Sequence, residues 1–203
     1  MTAKCEYFFA PHSTWAYIGH DRFVALAKKY NVQVELKPFN LGKVFGVSGG
    51  QPLSARAPQR QAYRLVEMKR WSEFLQRPLN LQPKFFPAQP DLAAKTIIAA
   101  QLAHGTEAAL ALTGAIMRAL WVEDRNIADA ATLEAIATTL EHDGQALLKS
   151  AVTASADSEY QRFTDEAISA NIFGSPWYIV DGDGFWGQDR LDFVERAFAK
   201  HGR

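Results

Sequence analysis

The sequence predicts an α/β fold in which a small sheet domain is interrupted by an all-helical insertion. Three observations predict it. The first forty residues read as strand, helix, strand; the middle keeps helical spacing over some hundred residues; the end reads as strand, turn, strand, helix. At 203 residues and 22.6 kDa the chain is long enough for one sizeable domain, or a small one carrying an insertion.

Residues 6–10 (Glu-Tyr-Phe-Phe-Ala) are aromatic and end at Pro11, which predicts a short buried strand. From 14 to 30, Trp15, Ile18, Phe23, Val24, Leu26, Ala27 and Tyr30 recur at helical spacing. Ser13 stands where a cap is needed, and Asn31 is a plausible stop. Residues 32–39 alternate apolar and polar as a strand does, completing a βαβ unit and predicting a parallel pair.

Residues 42–57 hold four glycines (42, 46, 49, 50) with Pro52, Ser48 and Ser54, and are expected to form a loop. Pro58 suits the first turn of a helix running to about residue 75. A second loop, 78–90, contains four prolines. Helical stretches are then expected at 92–104, 106–121, 132–140, 143–154 and 158–171. Trp177-Tyr-Ile-Val is a β-type run, and Asp181-Gly-Asp-Gly a hairpin turn. Phe185-Trp186 belongs to a second strand, and 191–201 closes as a helix. The expected domains are therefore 1–45 with 156–203 for the sheet, and 46–155 for the helical insertion.

Composition narrows the function classes. Hydrophobic residues at 48% and charged residues at 22% exclude a disordered, collagen-like or coiled-coil chain. Lys+Arg and Asp+Glu are both 22, which argues against a nucleic-acid partner. Cys5 alone cannot build a disulfide framework, and no Cys/His cluster has metal spacing. No secretory leader or membrane-length apolar run is seen, so a cytoplasmic protein without membrane contact is expected. The even charge hides an asymmetry: residues 1–90 carry +8 and residues 91–203 carry −8. The densest basic part runs from Lys43 through Arg56, Arg60, Arg64, Lys69, Arg70 and Arg77 to Lys84. It is either a solvated helix face or the wall of a cleft that attracts a small anion.

A βαβ unit, an insertion and then ββα, with Gly174-Ser175-Pro176 before the third strand, is a thioredoxin-like layout. The redox proteins of that layout carry Cys-x-x-Cys at the first strand-to-helix turn. Here that turn reads Ser13-Thr14-Trp15-Ala16, so dithiol exchange has no sulfur to use there. What remains is a hydroxyl at a helix N-terminus, which either caps the helix and nothing more or holds a bound thiol as thiolate. His12 precedes it, either orienting the site or incidental. Trp15, Trp71 and Trp121 fall in helical stretches and read as core rather than stacking platforms.

The opening Tyr7-Phe-Phe-Ala-Pro-His-Ser13-Thr-Trp-Ala-Tyr17 resembles that of the 2-hydroxychromene-2-carboxylate isomerase and kappa-class glutathione transferase family, of DsbA-like thioredoxin fold with a helical insertion. Similarity continues through Pro58-x-Arg60-x-x-Tyr63, Lys69-Arg70-Trp71 and Trp121-Val-Glu123-Asp124-Arg-Asn-Ile127-x-Asp129. It is most specific at Gly174-Ser175-Pro176 followed by Phe185-Trp186-Gly187-Gln188-Asp189-Arg190-Leu191. Departures are Ala10 for the family Asp, Thr14 for Pro, and Gly50 for Asn.

The resemblance implies glutathione as cofactor and Ser13 as the catalytic residue holding its thiolate. It implies that Pro176 is cis, that Ser175 pairs with the cysteinyl backbone, and that Trp186, Gly187, Gln188 and Asp189 contact the tripeptide. Without the resemblance, Gly187-Gln188-Asp189 reads equally as a turn and cap of the last helix. Lys43, Gly50, Arg60 and Tyr63 are the implied substrate-binding positions, for a small aromatic carboxylate; Arg64 lies one turn beyond Arg60. The implied activity converts 2-hydroxychromene-2-carboxylate-type substrates to trans-o-hydroxybenzylidenepyruvate-type ketoacids in aromatic degradation, by a homodimer. The alternatives are a kappa-type transferase or peroxidase, and a glutathione-binding protein without catalysis.

Overall fold

A computed structural model describes residues 2–200, so the expected end of the last helix at His201 lies outside the described residues. Strand β1 (Lys4–Phe9) leads through Ser13 into helix α1 (Thr14–Lys29), and β2 (Gln33–Pro38) returns parallel to β1. Asn31, at φ 50°, turns the chain between α1 and β2. Strands β3 (Trp177–Val180) and β4 (Asp183–Trp186) form a hairpin over Asp181–Gly182, and β3 pairs antiparallel with β1. The sheet order is β2-β1-β3-β4. This is an α/β thioredoxin-like fold with a helical insertion between β2 and β3.

The aromatic run in β1 works because both faces of that strand are covered. Alternation sends Tyr7 and Phe9 to one face, where they pack with Phe23 of α1 and Tyr178 of β3. Phe8 points to the other face, among Phe39, Val44, Ala167 and Ile172. Lys37 is buried in β2 (6% side-chain exposure), and its ammonium is held by Glu6 at 2.5 Å and Glu166 at 2.8 Å.

One expected loop is partly a helix. Residues 41–48 form α2 (Leu41–Ser48) because Asn40 caps it, accepting from the Lys43 amide at 3.0 Å, and Val44 is buried under the sheet. Gly49, at φ 75°, supplies the left-handed stop that a side chain resists. A short 3₁₀ turn (Leu53–Ala55) then leads to α3 (Pro58–Phe74), as its proline anticipates.

Helix α4 (Asp91–Trp121) contains both expected central helices, broken at Gly105 (φ 85°, ψ 178°). The helices α5 (Ala130–Thr139), α6 (Gly144–Ala151) and α7 (Ala154–Ser169) follow, capped by Asp129, Asp143 and Thr153. The sixth helix ends and the seventh begins several residues earlier than expected, because Thr153 accepts a hydrogen bond from the Ala156 amide. A 3₁₀ turn (Gln188–Arg190) carries the chain into α8 (Leu191–Ala199), which buries Leu191, Val194 and Phe198. Among the described residues no helix is long and apolar enough to cross a membrane.

Candidate active site

Two hollows meet at the N-terminus of α1. The wider is a cleft of about 570 Å³ between Trp15, Glu67 and Trp71 on one side and residues 184–190 with Phe193 on the other. The narrower is a pocket of about 290 Å³ walled by residues 12–15, by Leu41, Gly42 and Phe45 of α2, and by Arg56, Arg64, Phe86 and Phe173. Trp15, Ser175 and Trp186 line both, so the two hollows have these three residues as a common wall.

Ser13 sits at this junction, on the wall of the narrower pocket, 9% exposed. Its Oγ accepts from the Ala16 amide at 3.2 Å, the cap expected from sequence. Its hydroxyl also donates to the Ser175 carbonyl at 3.1 Å, tying α1 to the loop before β3. Ser175 answers with its own hydroxyl, which accepts from the Ala10 amide at 2.9 Å. The Ser175–Pro176 peptide is cis. Beyond it, the Pro176 carbonyl accepts from the Gly187 amide at 3.0 Å, which holds the 184–190 segment against the same loop.

That segment owes its path to two glycines. Gly187 has φ 96°, and a Cβ there would meet Asp189 Oδ1 at 2.5 Å. Gly174 lets the indole of Trp186 lie on the backbone: a Cβ there would stand 2.2 Å from Nε1. The indole also meets Phe173 edge-on at 4.7 Å between centroids.

Of the residues expected to contact a tripeptide, Ser175, Trp186, Gly187, Gln188 and Asp189 all line the wider cleft. Ser13 faces the narrower pocket, and Pro176, which is buried, lines neither hollow. Asp189 is exposed and accepts from Arg190 at 2.8 Å. Gln188 is 2% exposed, lodged against Gly19 of α1, and its Oε1 is buried with no partner. Two tryptophans read as core, Trp15 and Trp71, instead stand half-buried on the cleft wall, while Trp121 is fully buried as expected.

The expected substrate positions are not brought to either hollow. Lys43 points to α7, donating to Gln161 at 2.5 Å. Arg60 is exposed on the first turn of α3, and Tyr63 is 58% exposed beside Arg70. Gly50 carries the ring of Phe45 so closely that a Cβ would meet it at 2.1 Å. Arg56 and Arg64 stand in the narrower pocket instead. Arg64 donates to the Thr14 hydroxyl and lies over the rings of Phe86 (5.2 Å) and Trp121 (5.7 Å). Burial, and then the nearby charge of Arg56, pulls its pKa down to about 10, so it stays cationic at neutral pH. His12 lines the same pocket; burial lowers it to about 4 and keeps it neutral. Phe45, Phe86 and Phe173 escaped the sequence reading. The one sequence signal for them was their position: in or beside Gly- and Pro-rich stretches, away from helical spacing.

Comparisons with known proteins agree with this architecture. The family model described as DSBA-like thioredoxin domain matches residues 5–199. A 2-hydroxychromene-2-carboxylate isomerase from Sphingobium xenophagum is 24% identical over 96% of this chain and 97% of its own. One from Pseudomonas putida is 26% identical over 96% of this chain and 94% of its own. A solved structure of a 2-hydroxychromene-2-carboxylate isomerase superposes with a TM-score of 0.77 at 20% identity, covering 98% and 95% of the two chains.

Proposed function

The chain belongs to the DSBA-like thioredoxin domain family, with distant homology to 2-hydroxychromene-2-carboxylate isomerases over its full length, and from that premise we propose that it is a glutathione-dependent isomerase of that kind. Its substrates are then 2-hydroxychromene-2-carboxylate-type compounds and its products trans-o-hydroxybenzylidenepyruvate-type ketoacids. The observation that carries the reading is the junction. A mixed-charge cleft and an aromatic pocket share Trp15, Ser175 and Trp186, with the Ser13 hydroxyl where they meet.

The wider cleft offers the exposed Asp189 to the ammonium of a tripeptide and the neighbouring Arg190 to one of its two carboxylates, while the cleft's own second carboxylate, Glu67, is paired with Arg70. Ser175 presents its backbone to an extended ligand as an added strand would. Once bound, glutathione supplies a thiolate that adds reversibly to a conjugated double bond and lets it rotate. Ser13 now spends its proton on the Ser175 carbonyl. A ligand N–H that takes over that carbonyl releases the Ser13 hydroxyl to donate to sulfur instead, while the dipole of α1 favours negative charge there.

The deciding experiment titrates glutathione into the wild type and Ser13→Ala at neutral pH, following thiolate absorbance in the ultraviolet. A saturable thiolate band that weakens in the variant supports the reading, and a flat wild-type trace discards it. A second reading, a kappa-type transferase or peroxidase, is favoured by Lys43, Gly50, Arg60 and Tyr63 standing away from the pocket. Turnover of an aromatic-substitution substrate such as 1-chloro-2,4-dinitrobenzene, without chromene turnover, selects it.

A further inference from the structure

The narrower pocket holds two guanidinium groups and no carboxylate. Among the described residues neither Arg56 nor Arg64 forms an ion pair, although ion pairs are plentiful elsewhere on the molecule. Arg64 is fixed from the inside, by the Thr14 hydroxyl at the first turn of α1 and by the faces of Phe86 and Trp121. Arg56 is fixed on another wall, where its Nε donates to the Gln51 carbonyl at 2.9 Å and its plane lies over Phe45. Both retain N–H donors for a guest. Two partly buried cations that repel one another are costly unless something anionic joins them.

We propose that the narrower pocket is built for an aromatic or conjugated dicarboxylate, one carboxylate on Arg64 beside Ser13 and the other on Arg56. The inference rests on the proposed function in taking this pocket as the substrate side. It narrows the proposed substrate class to members that carry a second carboxylate besides the one the family resemblance implies. The volume of about 290 Å³ admits one substituted ring system; an apolar cavity of ~150 Å³ already holds benzene. Phe45, Phe86 and Phe173 supply faces for that ring. Thr14 stands where the family has proline, and its hydroxyl is the group that orients Arg64.

The test is calorimetric binding of phthalate, isophthalate and terephthalate against benzoate, with phenyl phosphate as a single-group dianion. At least one dicarboxylate is expected to bind about tenfold tighter than benzoate, the usual worth of one more charge-assisted hydrogen-bonded pair. Arg56→Gln and Arg64→Gln should each bring that ligand down to the benzoate level. Circular dichroism checks the fold of both variants, and Arg56, held by a single hydrogen bond in a loop, is the safer of the two. Dicarboxylates no tighter than benzoate, a preference that survives both substitutions, or a tighter hold on phenyl phosphate overturns the proposal. A flat thiolate titration beside an intact dicarboxylate preference removes the glutathione reading and leaves this one standing. The converse pair of results removes this one alone.

Discussion

Gly174→Ala puts a single methyl against Trp186, whose indole lines both hollows. The new Cβ would lie 2.2 Å from Trp186 Nε1 and 2.8 Å from Cε2, whereas ordinary contact begins near 3.4 Å. The indole, 51% exposed, therefore retreats by about 1 Å or more and gives up its edge contact with Phe173. That contact is worth about 0.5–1.5 kcal/mol, and the stiffer unfolded chain returns about 0.4–1 kcal/mol. Net stability should thus move by less than about 1 kcal/mol, a shift of at most about 4 °C in Tm. Affinity should move much more, because Trp186 lines both hollows. We expect a loss of about tenfold for glutathione and for the pocket ligand together. Calorimetric titration measures both in Gly174→Ala, Trp186→Ala and the double variant. If the methyl acts through the indole, it should have no further effect once the indole is gone. An equal loss in both backgrounds, or unchanged affinities in the single variant, would refute the reasoning.

Other expectations concern the frame. Ser13→Ala removes the cap on α1 and the partner of the Ser175 carbonyl, at about 2 kcal/mol together, so scanning calorimetry should show a Tm lower by about 4–8 °C with the fold retained. Asn40→Ala should cost about 1 kcal/mol, read as a lower urea midpoint at unchanged slope, because Asn40 caps the helix that the glycines disguise. His12 and His20 are held near 4 mainly by burial, below the unfolded value of about 6.5. The unfolded chain therefore binds more protons in that window, so stability should be full above about pH 6.5 and fall as the pH drops toward 4. Urea titrations at pH 7 and 5 measure the difference. Lys37→Met leaves Glu6 and Glu166 facing each other at a buried strand, and should cost about 2–3 kcal/mol after allowing for the exposure of those carboxylates. Burial lowers the Lys37 pKa, but its hydrogen bonds to Glu166 and Glu6 raise it on balance. Its contribution is therefore full below about pH 10.4, and alkaline titration of the wild type should lose it above that.

The elements legible in the sequence are those whose signals are local. Pro58 at a first helical turn and Ser13 before an amphipathic run each act through their own backbone and stand where expected, while of the Asp181-Gly-Asp-Gly turn only Asp181–Gly182 turns and the last two residues open β4. Helix α2 was hidden because its glycines speak for a loop, while its support comes from elsewhere: Val44 is buried beside Phe8 of β1 and Ala167 of α7, both distant in sequence.

The site divides along the same line. The half that follows the backbone, with Ser13 capping α1 and the 184–190 turn held by Pro176, was readable, because caps and turn glycines are local chemistry. The pocket half was not, because charge in a sequence does not say which cation loses its water. Arg60 and Arg64 share one face of α3, yet Arg60 lies in the first turn, open to solvent, while Arg64 reaches under Thr14 onto Trp121. Arg56, before the helix begins, is folded back by the 3₁₀ turn at 53–55 and the Gln51 carbonyl. The basic stretch is thus both things the sequence allowed, a solvated face at Arg60, Lys69 and Arg70 and a cationic wall at Arg56 and Arg64. What separates them is partial desolvation, a property of the assembled pocket, and it is that desolvation that lets two arginines discriminate between one carboxylate and two.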